Sequence, residues 1–237
     1  MIPIADHMRT VFKDTDRGFD QYLAKVQADY GYIKSCKRGC AACCELFNLI
    51  TWPEAAIIAE QLRADGRLSQ FLSRLHKAAR QACYQGVDHD SYWRRHLVCP
   101  FLLPKINDCA IYTVRPLSCR VYVSFSPAEL CALRGKSAPK ILQPDVGKIQ
   151  TQVLFPTLER MFIAGFDKAF DLAPLAVMTL AALREAGVRP ARRSIAPATW
   201  LHRYGHHMYQ TYRKMKAAGG RQSVEPPLIS GALAQSH

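Results

Sequence analysis

Cys36-Lys-Arg-Gly-Cys40-Ala-Ala-Cys43-Cys44 opens the stretch on which the fold depends, and Cys109-Ala-Ile-Tyr-Thr-Val-Arg115-Pro116-Leu-Ser-Cys119-Arg120 closes it. Between them stands Cys99-Pro-Phe-Leu. Seven of the nine cysteines fall in these short knots. A cysteine used only for packing behaves as a small hydrophobe and gains nothing from a second thiol nearby. Bunching of this kind therefore points to a metal site or to disulfides.

Metal is the better reading. Cys43 and Cys44 are adjacent and cannot bridge each other without a strained ring, and an odd number of cysteines leaves one thiol over in any all-disulfide framework. The first ten residues include Asp6 and Arg9 and no apolar run of export-signal length, so a cytoplasmic protein is expected. In a reducing compartment, clustered cysteines serve as metal ligands or redox groups more often than as structural bridges.

The same residues carry a family resemblance. Gly39-Cys40-Ala41-Ala42-Cys43-Cys44, the Cys-Pro-Phe-Leu, the Cys-x-Ile-Tyr-x-x-Arg-Pro and the final x-x-Cys-Arg resemble the YkgJ-type cysteine cluster family of zinc- or iron-chelating domains, over residues 34–122. The family pattern usually opens with two residues between its first cysteines, whereas three separate Cys36 from Cys40. Cys36 thus fits the pattern least well. The resemblance implies a metal site formed from Cys36, Cys40, Cys43, Cys44, Cys99, Cys109 and Cys119, and implies little about reaction chemistry. Flagellin lysine methylases, relatives by the same resemblance, join such a cluster to methyl transfer.

Seven thiols without a paired histidine form a soft ligand set, suited to zinc, Cu(I) or iron–sulfur and poor for magnesium or calcium. One tetrahedral zinc takes four ligands. Three arrangements stay open: a four-thiolate site with three further cysteines, a polynuclear site with shared thiolates, or an iron–sulfur cluster with spare cysteines. Arg115 and Arg120, inside the motif, read as donors that neutralise and hydrogen-bond the sulfurs. Lys37 and Arg38 read as ordinary surface charge. Cys83 and Cys131 read as core thiols, and His76, His89 and His96 are dispersed, with none assigned as a ligand. No dinucleotide fingerprint, phosphate loop, H-E-x-x-H or nucleophile elbow occurs, so the sequence leaves enzymatic activity undecided.

The expected fold is mainly α with short β segments, a metal-organised cysteine module packed against helices. At 237 residues with 49% hydrophobic content, the chain can bury a substantial core. The most apolar stretch, 172–183, is broken by Pro174 and is too short for a bilayer, which takes about 20 residues. Periodicity predicts a helix from Thr15 to Tyr30 and a capped helix from Thr51-Trp-Pro-Glu54 to Ala64. It predicts another from Leu68 to Gly86, marked by Phe71, Leu72, Leu75, Ala79 and Ala82. Residues 45–50 read as extended, and 96–125 as short extended pieces with a turn at Asn107-Asp108. Ser126-Pro-Ala-Glu129 reads as a cap for a brief helix holding Cys131. Beyond a loop at 134–143, a helix over 145–165 should break at Pro156, and 172–186 reads as a buried helix. The organisation expected is a cysteine module at 1–133, a helical module at 145–218 and a flexible tail at 219–237.

The formal net charge is +13. That excess suits a polyanionic partner, although bound thiolates would offset part of it. The predicted helix from Thr199 to Ala218 carries Arg203, Tyr204, His206, His207, Tyr209, Tyr212, Arg213, Lys214 and Lys216. Cations mixed with aromatics in this way contact phosphates and stack on bases. A zinc-stapled nucleic-acid-binding protein is accordingly the alternative to a metal-binding protein with redox, metal-handling or catalytic chemistry. The oligomeric state is not legible.

Overall fold

The computed structural model describes residues 4–84, 97–132, 142–144 and 146–188. They form helices α1 (Ile4–Tyr30), α2 (Trp52–Ala64), α3 (Leu68–Tyr84), α4 (Leu117–Val121), α5 (Val146–Ile163) and α6 (Leu175–Glu185). Four short strands accompany them: β1 (Leu49–Thr51), β2 (Leu102–Leu103), β3 (Asp108–Cys109) and β4 (Leu172–Pro174). The described chain is mainly helical with short antiparallel strands, as its patterning predicts.

Helix α1 begins at Ile4 rather than Thr15. Ala5, Met8, Phe12 and Thr15 continue the apolar stripe at three- and four-residue steps, and all four are buried. Helix α2 starts as its sequence signature requires: one Glu54 carboxylate oxygen accepts from the Thr51 N–H and the Thr51 hydroxyl, each at 2.8 Å. It ends at Gly66, whose φ of 63° is reached freely by glycine. Helix α6 is apolar nearly all round because it is the central element, packing on both α2 and α3, while α1 covers the α2 flank. Ile58, Leu62, Phe71, Leu75, Met178 and Leu183 meet there almost without exposure. Burying each such side chain contributes about 1.5–3 kcal/mol. No helix among the described residues is long and apolar enough to cross a membrane.

Five expectations need correction. Residues 172–174 are not helical: they form β4, pairing antiparallel with β1 in the register Leu49 to Pro174, Ile50 to Ala173 and Thr51 to Leu172. An apolar run cannot distinguish a buried strand from a buried helix, and Pro174 placed the junction. Of 45–50, only Leu49 and Ile50 are extended in β1; Ala42–Glu45 is a 3₁₀ turn. Helix α5 runs through Pro156 without a break. The proline sits on the exposed face while Leu154, Phe155, Thr157 and Leu158 around it are buried, so packing holds the turn together. In 96–125, the extended pieces reduce to the β2–β3 hairpin, with Asn107 at φ 50° in its turn, followed by a 3₁₀ turn at Tyr112–Val114 and α4. Last, the brief helix expected after Ser126 is a 3₁₀ turn, Ala128–Ala132, which does hold Cys131, and the Ser126 hydroxyl accepts the Leu142 N–H at 2.9 Å. The basic aromatic segment 199–218, the tail 219–237, His89, His96 and the Cys83 side chain lie outside the described residues.

Candidate metal centre

The first knot follows from the exit of α1. Gly31 closes that helix, its N–H donating to the Gln27 carbonyl at 2.9 Å, and the chain then runs beside 124–126, where the Ser35 N–H reaches the Ser124 carbonyl at 2.8 Å. Gly39 at φ 87° lets the Cys40 N–H turn back onto the Lys37 carbonyl at 3.0 Å. A second tight turn follows, with the Cys44 N–H on the Ala41 carbonyl at 2.9 Å. Two turns in succession present Cys40, Cys43 and Cys44 within a few residues, which is the use of the small Ala41-Ala42 pair.

The second knot is docked on the first through the backbone. The Cys99 N–H donates to the Cys44 carbonyl at 2.7 Å. The β2–β3 hairpin then brings Cys109 opposite Leu102, and α4 brings Cys119. All seven cysteines expected as ligands line one cavity of about 650 Å³, together with Arg115 and Arg120. Phe19 and Leu23 of α1, Phe47, Tyr112 and Leu175 supply apolar wall. Among the described residues, no three His, Cys, Asp or Glu side chains stand at coordination distance from a common point. The knots share a cavity, and the sulfurs still face their own hydrogen-bond partners.

Those partners are informative. Cys36 Sγ accepts the Ser124 N–H at 3.1 Å, and Cys119 Sγ accepts the Asn48 side-chain amide at 3.0 Å. Asn48 is itself oriented by the Ser118 hydroxyl, which donates to its Oδ1 at 2.5 Å. Cys99 and Cys109 each accept the backbone N–H two residues on, from Phe101 and Ile111. Donors aimed at sulfur stabilise thiolates. Against them, burial pushes the Cys36, Cys99, Cys109 and Cys119 thiols upward, Cys119 to about 12, with Cys43 and Cys109 adding to the Cys119 shift. Cys43 is pushed up first by its hydrogen bond with Cys44 and then by burial. Burial thus favours the protonated form of these five thiols, and a bound Zn²⁺ would displace those protons.

The two arginines are deployed differently. Arg115 lowers Cys43, Cys109 and Cys119, stacks 4.0 Å above the Tyr112 ring, and has a buried Nε without a protein partner. Arg120 donates to the Arg115 carbonyl at 2.9 Å, to the Thr113 carbonyl and to Asp16 at 2.6 Å, and lies 4.1 Å over Phe12. Its donors thus bind the motif loop to α1 while its side chain edges the cavity. Arg38, largely exposed, pairs with Asp108 at 2.6 Å and holds that carboxyl below its ordinary value. Cys131 is buried on its 3₁₀ turn.

Residues 35–140 match the family model described as "CxxCxxCC: Putative zinc- or iron-chelating domain". This segment is similar to that family's domain. Neither the curated proteins nor the solved structures contain a match to the chain. The matched segment holds all seven cavity cysteines and both motif arginines. Parts of the cavity wall come from outside it, since Phe19, Leu23 and Leu175 belong to α1 and α6.

The donor set fits zinc or iron: clustered thiols, backbone and amide N–H groups on the sulfurs, and a guanidinium beside three of them. Asn48, Ser124 and Glu54 escaped sequence reasoning as parts of this neighbourhood. For Glu54 the capping box was a signal of position. Asn48 and Ser124 have no local signature, because each meets its sulfur across 71 and 88 residues of chain.

Proposed function

We propose that the chain is a cytosolic protein that binds zinc or iron through Cys36, Cys40, Cys43, Cys44, Cys99, Cys109 and Cys119, and that the metal locks the two cysteine knots into one fold. The observation that carries this reading is the convergence of seven thiols from both knots on one cavity, with N–H donors already placed on four of the sulfurs. Zinc there would act as a crosslink, and iron would add one-electron chemistry. The protein's own part is to align the sulfurs, to balance their charge through Arg115, and to restrict water through the apolar wall of Phe19, Leu23 and Leu175. Purification without oxygen, followed by elemental analysis and absorption spectroscopy, tests the reading. At least one equivalent of zinc or iron per chain is expected; less than half an equivalent of any transition metal overturns it. A colourless zinc protein supports a structural or metal-handling role, and a brown one supports redox or metal-dependent catalytic chemistry.

A further inference from the structure

We infer that Asn48 is a positioning residue for the metal: its side-chain amide holds the Cys119 sulfur as a thiolate ligand, in an orientation set by Ser118. This inference rests on the metal-binding reading above and adds to it a residue that is not itself a ligand.

Two hydrogen bonds carry it. Asn48 Nδ2 donates to Cys119 Sγ at 3.0 Å, and the Ser118 hydroxyl donates to Asn48 Oδ1 at 2.5 Å. A hydroxyl that gives its hydrogen to Oδ1 leaves the Nδ2 edge for the sulfur, so the amide meets Cys119 as a donor. An asparagine used for local turn-making bonds its own neighbouring backbone instead. Among the described residues, the Asn48 side chain bonds only to residues 118 and 119, across 70 and 71 positions of sequence.

What the donor selects follows from the state of the sulfur. A thiol is a weak acceptor with a hydrogen of its own, whereas a thiolate carries charge that an N–H stabilises. An amide N–H aimed at Cys119 therefore suits the form that binds metal. The Ser124 donor on Cys36 is a backbone N–H, fixed by the path of the chain. The donor on Cys119 comes from a side chain, which can be exchanged without altering the backbone that carries it.

The backbone around both partners fixes where they stand. The Asn48 carbonyl accepts the Leu175 N–H at 2.9 Å where α6 begins, and Leu49 beside it pairs with Pro174 in the β1–β4 ladder. Cys119 is held from its own side, because Glu54 accepts the Leu117 N–H at the start of α4. Amide and sulfur thus sit on separate elements that are each anchored to the core. Asn48, Cys119 and Leu175 all line the cavity. One residue thereby sets a sulfur and a piece of apolar wall in place relative to each other.

The experiment uses the full chain, reduced and free of oxygen, as wild type, Asn48→Leu, Asn48→Asp and Ser118→Ala. Each protein is loaded with Co²⁺ and read by absorption, and loaded with Zn²⁺ and read by competition with a chelator. Asn48→Leu keeps a side chain of similar size without the donor, and Asn48→Asp turns a carboxylate toward the sulfur. Both should weaken zinc retention by about 10–100-fold. Both should also move the sulfur-to-cobalt charge-transfer bands to longer wavelength, because no N–H then draws charge from the sulfur. Ser118→Ala should shift both readouts the same way to a smaller extent, since the amide is freed to turn. Unmoved bands, or zinc held as tightly as by the wild type, overturn the inference and leave the metal-binding reading standing. If the Asn48 variants do not fold, Ser118→Ala decides by the same two readouts. A wild-type chain that takes up neither cobalt nor zinc overturns both readings.

Discussion

The backbone N–H of Leu117 donates to Oε1 of Glu54 at 2.8 Å, joining the first turn of α2 to the short helix that carries Cys119 across 63 positions of sequence. The other carboxylate oxygen caps α2 through Thr51. One buried side chain, 2% exposed, therefore fixes both a helix start and the short helix that brings Cys119 to the cysteine-lined cavity.

Glu54→Gln turns one acceptor into a donor that faces backbone or hydroxyl hydrogens, and should cost about 1–3 kcal/mol. The cost depends on pH. Burial raises the Glu54 carboxyl, with the Thr51 and Leu117 donors opposing the shift. The folded chain therefore holds this proton more tightly than the unfolded one. The carboxyl's contribution is full below its ordinary value of about 4.3 and declines as pH rises through the raised one. Urea midpoints of both proteins at several pH values between 4 and 7 should show the variant's deficit shrinking as pH rises; a growing deficit contradicts the assignment.

Cys43→Ser, Cys44→Ser, Cys109→Ser and Cys119→Ser should each reduce metal content and yield loosened or insoluble protein. Structural thiolate sites contribute roughly 10–16 kcal/mol of apparent binding energy, against a domain stability of about 5–15 kcal/mol. Cys131→Ser, at a packed position, should keep its metal and cost only about 1–3 kcal/mol. Cys36→Ser, with its irregular spacing, should fall between. Metal per folded chain after gel filtration distinguishes these classes, and loss of metal from Cys131→Ser would refute them.

Arg115 and Arg120 should separate by what they perturb. Arg115→Gln removes the cation beside three sulfurs and should weaken zinc retention against a chelator by about 10–100-fold, with little change in metal-free stability. Competition assays and thermal melts together decide it, and equal losses in both would mean that Arg115 serves the fold alone.

Arg120→Met removes the guanidinium that lies over Phe12 and strands the Thr113 and Arg115 carbonyls. A cost of about 1–3 kcal/mol is expected in denaturant unfolding. Asp16→Asn should cost under about 1 kcal/mol, since Asp16 is half exposed while the Arg120 side chain is 4% exposed. The order of the two variants is the check.

Residues 35–140 expressed alone should be poorly folded even when metal is supplied. Ile50, Ala55 and Ile58 would lose α6, and Arg120 would lose Asp16 and Phe12. A cooperative melt from that fragment would show that the matched segment supplies its own core.

How much was legible follows from sequence distance. The Thr51–Glu54 cap, the stripe of α3 and the cysteine knots are local signals, and the first two shaped the helices as read. Leu172 to Pro174 was misread as helix because its strand partner, β1, lies more than a hundred residues earlier, and an apolar run alone carries no trace of that pairing. Asn48 on Cys119 and Ser124 on Cys36 were invisible for the same reason. Pro156 was misjudged because buried neighbours on both sides outweigh a missing hydrogen bond on an exposed face.

The pairing of β1 with β4 also orders events during synthesis. Cys119 leaves the ribosome about 50 residues before Leu172, so at about 5–20 residues per second the knots wait roughly 3–10 s for the strand and helix that close over them. During that interval the nascent thiols face the surrounding ions and oxidants without the part of the cavity wall that Leu175 supplies. Metal supplied to the growing chain, rather than to the finished one, would then decide how many copies mature correctly.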